Sequence, residues 1–159
     1  VNDRKQKSTR IKAKPDNRFA RTRDDHSREL AEDYVELIND LINDRGEARA
    51  VDLADRLGVT TVTVSKTVSR LTKEGLVTSA PYRAIFLTQS GQKLARDCRR
   101  RHETVLQFLL ALGVPNRDAE LDAEGIEHHL SPKTLECMKK FLDLSRAKSL
   151  SKRKKKQHP

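Results

Sequence analysis

The spacing of apolar residues changes once along this chain, inside a stretch that glycines cut into short pieces. Leu30, Tyr34, Leu37, Ile38, Leu41 and Ile42 recur at helical spacing until Gly46. Val51, Leu53, Ala54 and Leu57 mark a short second helix, and Gly58-Val59 forms a tight turn. A third helix runs from Thr60 or Thr61 to Lys73, with Val62, Val64, Val68 and Leu71 facing inward, and Gly75 closes it. Beyond Gly75 the helical period gives way to segments rich in Val, Ile, Phe and Thr, at 76–80 and 84–88. They flank Pro81, Tyr82 and Arg83, which is a hairpin pattern. Helix, glycine turn, helix and hairpin is the order of a winged helix-turn-helix. Leu53, Leu57, Val59, Val64 and Val68 are its expected small core.

The rest of the chain reads as helix. Thr88 caps a helix ending at Gly113, a second covers 117–130, and Ser131 with Pro132 starts a last one reaching about residue 148. The fold class is therefore mainly α with a small β-hairpin wing. The winged helix-turn-helix is followed by a helical half. The longest apolar run in that half, 108–112, is far short of the roughly 20 residues a membrane helix needs. No signal-peptide pattern opens the sequence. Cys98 and Cys137 lack the spacing of a zinc ribbon or a disulfide framework, so a cytoplasmic setting is expected.

The formal charge of +10 over 159 residues suggests nucleic acid as a partner, but its location qualifies this. Residues 1–23 carry +7 and residues 151–159 carry +5, leaving −2 for residues 24–150. The expected organisation is a basic disordered tail over 1–24, a DNA-binding domain over 25–96, a helical domain over 97–150 and a basic tail over 151–159. DNA contacts of the body must come from particular residues. Thr60, Thr61, Thr63, Ser65, Lys66, Ser69 and Arg70 occupy the start and outer face of the third helix. Short hydroxyl side chains let a helix sink into the major groove, and Lys66 and Arg70 can reach guanine or phosphate. Arg83 belongs at the wing. A winged-helix module that binds protein instead is the alternative for this unit.

A second signal is acidic. Glu29, Asp33, Glu36 and Asp40 lie at i, i+4, i+7 and i+11 on the first helix, a like-charged stripe that is unfavourable without a counter-charge. Glu124, Glu127 and His128 share one face of a later helix, and His102 lies on the inward stripe of the helix between. Oxygen-rich donors with some imidazole suit a hard divalent ion such as Mn²⁺. Asp33, Glu36, Glu124 and Glu127 total −4, which two such ions would neutralise.

Four stretches carry a resemblance. They are Glu32-Asp33-Tyr34-Val35-Glu36, Val64-Ser65-Lys66, Arg101-His102-Glu103 and Asp122-Ala123-Glu124-Gly125-Ile126-Glu127-His128-His129-Leu130-Ser131. Together they resemble the diphtheria-toxin-repressor family of bacterial metal-dependent repressors, most closely its manganese-responsive branch, over about residues 28–148. The resemblance implies metal ligands at Asp33, Glu36, His102, Glu124, Glu127 and His128. The iron-responsive branch has Met at the position of Asp33 and Cys at that of Glu124, so oxygen donors at both imply manganese. Glu120 stands where that branch has a further histidine.

The expected function is a manganese-responsive regulator. It forms a homodimer through residues 117–148, binds palindromic operator DNA when loaded with two Mn(II) per subunit, represses manganese-uptake genes, and involves neither a membrane nor catalysis. The rivals are a metal-independent winged-helix regulator, a binuclear metallohydrolase and a nonspecific nucleic-acid binder acting through its tails.

Overall fold

A computed structural model describes residues 17–79 and 83–156, with side chains over 23–79 and 83–147. The order is α1 (Asn17–Arg45), α2 (Ala50–Leu57), α3 (Thr61–Lys73), β1 (Val77–Thr78), β2 (Phe86–Leu87), α4 (Gln89–Leu112), α5 (Asn116–Ile126), a 3-10 turn (Glu127–His129) and α6 (Pro132–Lys156). Side-chain caps set three of the starts. Thr60 Oγ1 accepts from the Thr63 N–H at 3.2 Å, Thr88 Oγ1 from Gly91 at 3.1 Å, and Ser131 Oγ from Thr134 at 3.1 Å. Gly58, with φ at 66°, ends α2 in a left-handed conformation that few other residues adopt cheaply.

The elements depart from the sequence expectation at four places. α1 begins at Asn17, so part of the expected disordered segment 1–24 is helical; residues 1–16 lie outside the described residues. From Asn17 onward there is no Gly or Pro until Gly46. A helix already nucleated by packing propagates at little cost through such a stretch. For the same reason α6 continues through the basic run to Lys156; residues 157–159 are outside the described residues. The helix expected over 117–130 stops at Ile126 and tightens into the 3-10 turn, because Ser131 precedes proline and is biased away from helix. The wing strands are only two residues long, paired Val77 with Leu87 and Thr78 with Phe86. Ala48 and Ile85 add an antiparallel bridge. Pro81 and Tyr82 of the expected hairpin tip lie outside the described residues.

The core of the first half gathers Tyr34, Ile38 and Leu41 of α1, Leu53 of α2, Leu71 of α3 and Ile85 beside the wing, all fully buried. Val64 and Val68 join them as expected. Val59 does not: it sits in the turn and is exposed, while Leu57 is half-buried. α4 is unbroken and serves both halves. At its start a Cβ on Gly91 would stand 2.1 Å from the Leu76 carbonyl oxygen, so only glycine lets the helix approach the wing. Further along, α4 packs on α5 and α6, with Val105 and Ala119 buried and the Phe108 and Phe141 rings edge to face at 5.3 Å. No helix among the described residues is long and apolar enough to cross a membrane.

Candidate metal centre and nucleic-acid interface

The alternation of faces along α1 places its acidic residues. Tyr34, Val35, Ile38 and Leu41 turn into the core, and the intervening Glu32, Asp33 and Glu36 face α4 and the 127–129 turn. That turn presents Glu127 and His128, both buried. Ligand atoms of Glu36, Glu127 and His128 all lie within 4.8 Å of one another. The other expected donors border the same place. Asp33 Oδ1 is 3.3 Å from His128 Nε2. His102 Nδ1 lies 2.8 Å from Glu127 Oε2 and 3.5 Å from Glu124 Oε2. Asp33, Glu36, His102, Glu124 and His128 line one cleft of about 800 Å³. Asp40 lines the same cleft but pairs there with Arg99 at 2.7 Å, whereas Glu120 does not line it and accepts from Asn116 at 2.8 Å. The α1 stripe, unfavourable without a counter-charge, thus receives one from Arg99 of α4 at its end.

Electrostatics separate these carboxylates. Burial, then the charge of Glu127, pushes Glu36 up to about 7, with Glu124 adding to the shift. Burial likewise raises Glu127 and Asp33, only partly opposed by the neighbouring histidines. Burial thus disfavours the charged form of all three, and Glu124 adds like-charge repulsion. A divalent cation would favour their charged forms, and carboxylate plus imidazole is the donor set such an ion takes.

Sequence reasoning missed Glu32. Its carboxylate is buried, accepts from His128 Nδ1 at 2.7 Å and pairs with Arg101 at 2.5 Å. Burial opposes its ionisation, but the His128 hydrogen bond and the Arg101 charge outweigh that and hold its carboxyl below the usual value. The same hydrogen bond, against burial, raises the His128 imidazole. With Nδ1 engaged by Glu32, Nε2 is left facing Asp33 and Glu127, the orientation a metal-binding histidine takes from its outer carboxylate. Glu32 is adjacent to Asp33 and reads as one more acidic residue in sequence; only its inward turn distinguishes it.

On the opposite side of the first half, Thr61, Ser65, Lys66 and Ser69 line a shallow hollow along α3, together with Val62. Val62, expected to face inward, is instead 62% exposed. The buried stripe of α3 is Val64, Thr67, Val68 and Leu71, and Val62 falls off it. Thr60 and Thr63 share a hydroxyl contact of 3.0 Å at the helix start. Arg83 is exposed. Arg70 turns toward α1: its guanidinium donates to the Ser27 main-chain oxygen at 3.3 Å and meets Ser27 Oγ.

A winged helix-turn-helix joined to a helical carboxylate–histidine cluster is the architecture of a metal-dependent transcriptional regulator. Residues 27–85 match the family model "Iron dependent repressor, N-terminal DNA binding domain", and residues 88–148 match "Iron dependent repressor, metal binding and dimerisation domain". The transcriptional regulator MntR of Escherichia coli O6:H1 is 51% identical over 130 residues, 82% of this chain and 84% of that protein. Two solved structures superpose with 30% identity over 71% of this chain. One is a manganese-dependent transcriptional repressor in complex with manganese (TM-score 0.64, 52% of its chain). The other is the manganese regulator SloR (TM-score 0.62, 53% of its chain). The chain spans about half the length of those two. It belongs to the iron-dependent repressor family, among the MntR regulators, and this is a family of regulators and not of enzymes.

Proposed function

We propose that the chain is a manganese-responsive repressor that binds palindromic operator DNA as a homodimer and controls manganese-uptake genes. The observation that carries this reading is the cluster of Glu36, Glu127 and His128: one ligand atom comes from α1, in the DNA-binding half, and two from the turn after α5. Asp33, His102 and Glu124 complete a set of six donors. Two Mn²⁺ per subunit would balance the −4 of Asp33, Glu36, Glu124 and Glu127, which is what supports that count. Glu127 directs Oε1 toward His128 at 3.6 Å and Oε2 toward His102 at 2.8 Å, so a single carboxylate addresses two of the imidazoles that would help hold the metal. Bound Mn²⁺ supplies positive charge that turns mutual repulsion among these carboxylates into attraction to a shared centre.

The chain's own residues do the rest. Glu36 and Asp33 hold α1 against the 127–129 turn, Glu32 fixes the His128 ring, and α4 couples this region rigidly to the wing. In a two-fold dimer that rigidity sets the separation of the paired α3 helices, and with it the match to operator half-sites. The exposed apolar side chains of Phe141 and Leu144 on α6, with Leu112 at the end of α4, support a dimer contact there. On α3, the hydroxyls of Thr61, Thr63, Ser65 and Ser69 and the ammonium of Lys66 suit phosphate and base edges, and Val62 suits a thymine methyl. The division into a DNA-binding part over 25–96 and a metal-binding part over 97–150, with basic termini adding unspecific attraction to phosphate, is part of the same proposal.

The test is operator binding with and without Mn²⁺ for Glu127→Gln and Glu124→Gln. The expected outcome is loss of the Mn²⁺-dependent gain in affinity, greatest for Glu127→Gln. An unchanged gain in both variants removes this cluster from the mechanism.

A further inference from the structure

One turn of α1 touches the metal cluster and the DNA-facing helix at once. On one side, Arg70 of α3 donates through both terminal guanidinium nitrogens to the main-chain oxygen of Ser27, each at 3.3 Å, and also meets Ser27 Oγ. On the other side, Arg28 Nη2 donates to the main-chain oxygen of His128 at 3.2 Å. Arg28 is held toward that contact by its ion pair with Asp25 at 3.1 Å. His128 in turn is fixed by Glu32 and faces Asp33.

Two features make this more than a pair of surface contacts. Both arginines bond main-chain oxygens, so each contact follows backbone position and no side-chain rotation of the acceptor can relieve it. Ser27 and Arg28 are also consecutive residues of a continuous helix, which moves as a stiff body on this scale. The 127–129 turn and α3 are therefore both bonded to one short segment of α1.

We propose that Ser27 and Arg28 relay the position of the His128 turn to the recognition helix, making Arg28 and Arg70 positioning residues for metal-dependent operator binding. This rests on the regulatory function proposed above. It also gives Arg70 a role different from the DNA contact its place on α3 predicts: its guanidinium ties α3 to α1, while Lys66, one turn earlier, keeps the outward face. By linkage, the coupling acts in both directions, so operator DNA tightens Mn²⁺ binding by the factor through which Mn²⁺ tightens DNA binding.

The experiment compares the full chain with Arg28→Ala, Arg28→Gln and a control, Arg100→Ala, whose partner Asp97 lies within α4. Three quantities are read: Mn²⁺ stoichiometry without DNA, operator affinity with and without saturating Mn²⁺, and the hydrogen-exchange protection that Mn²⁺ confers on 61–73. Both Arg28 variants are expected to keep the Mn²⁺ stoichiometry and lose about tenfold of the Mn²⁺-induced gain in operator affinity, a size typical of residues in a coupling network. Their α3 protection falls in parallel, and Arg100→Ala behaves as wild type. A wild-type gain and wild-type protection in the Arg28 variants overturn the relay. So does a loss of bound Mn²⁺, which would make Arg28 part of the metal site. A wild-type chain whose operator affinity ignores Mn²⁺ overturns the regulatory function, and the relay with it.

Discussion

Around Leu53, Val64 and Leu71 the buried side chains are almost all apolar; toward the 127–129 turn Glu32, Glu127 and His128 are buried as well. The helix-turn-helix and the metal cluster share α1 and α4, so the same two helices are packed by opposite means along their length. The apolar end closes through burial that needs no further component. The ionisable end gathers carboxylates whose proton affinities are raised first by burial and, at Glu36, then by the neighbouring charge of Glu127. A region completed by its own side chains gives a constant DNA-reading surface. A region completed by a cation gives a responsive one.

The largest expected effect breaks the apolar side alone. Leu71→Ala removes a fully buried side chain from the first core and is expected to cost about 2–5 kcal/mol. Thermal or urea unfolding measures that loss, and Mn²⁺ binding by the remaining folded protein should be retained. If the metal stoichiometry falls equally, the two ends are not separable. Next in size, Glu32→Gln leaves the volume of the side chain but weakens its hold on His128 and Arg101. Metal affinity is expected to fall by about 10–100-fold, as for other outer partners of ligating histidines, with little change in operator contacts at saturating Mn²⁺. Titration calorimetry reads this directly, and an unchanged affinity would mean that Glu32 does not orient the ring.

A smaller and more diagnostic effect is the pH dependence of stability. Glu36, Glu127, Asp33 and His128 all have raised proton affinities in the folded chain. The metal-free folded state therefore binds more protons than the unfolded one, and stability should rise as pH falls from above 7 toward about 4.5. Glu32 acts oppositely, its contribution being lost only at still lower pH. With Mn²⁺ present the slope should reverse, because those groups must release protons to bind metal. Melting temperatures across that range, with and without Mn²⁺, test the inversion; parallel curves would contradict it. The smallest effect sharpens the other side: Lys66→Ala should weaken operator binding at saturating Mn²⁺ and lower the slope of affinity against salt by about one unit. An unchanged salt slope would remove Lys66 from phosphate contact.

Local chemistry made much of this legible in advance. The starts at Thr60, Thr88 and Ser131 and the turn at Gly58 follow from caps and a left-handed glycine, which act within four residues. The acidic stripe of α1 follows from helical periodicity; the same periodicity predicts Glu124, Glu127 and His128 on one helix face, but Glu127 and His128 are presented by a 3-10 turn after α5. Helix ends without a local signal were less legible. α1 starts at Asn17 and α6 reaches Lys156 because propagation from a packed segment outweighs poor amphipathicity.

The sequence alone fixes which groups carry charge, where the helix period breaks and which oxygen and nitrogen donors are available. It does not distinguish Glu32, buried against His128, from Asp33 beside it, nor Arg70 bonded to Ser27 from Lys66 facing outward, nor Val62 from the buried valines of the same helix. Those assignments depend on how α1, α3 and the 127–129 turn rotate against one another. Burial, main-chain hydrogen bonding and charge proximity between residues about a hundred positions apart, such as Arg28 and His128, exist only once the helices are packed.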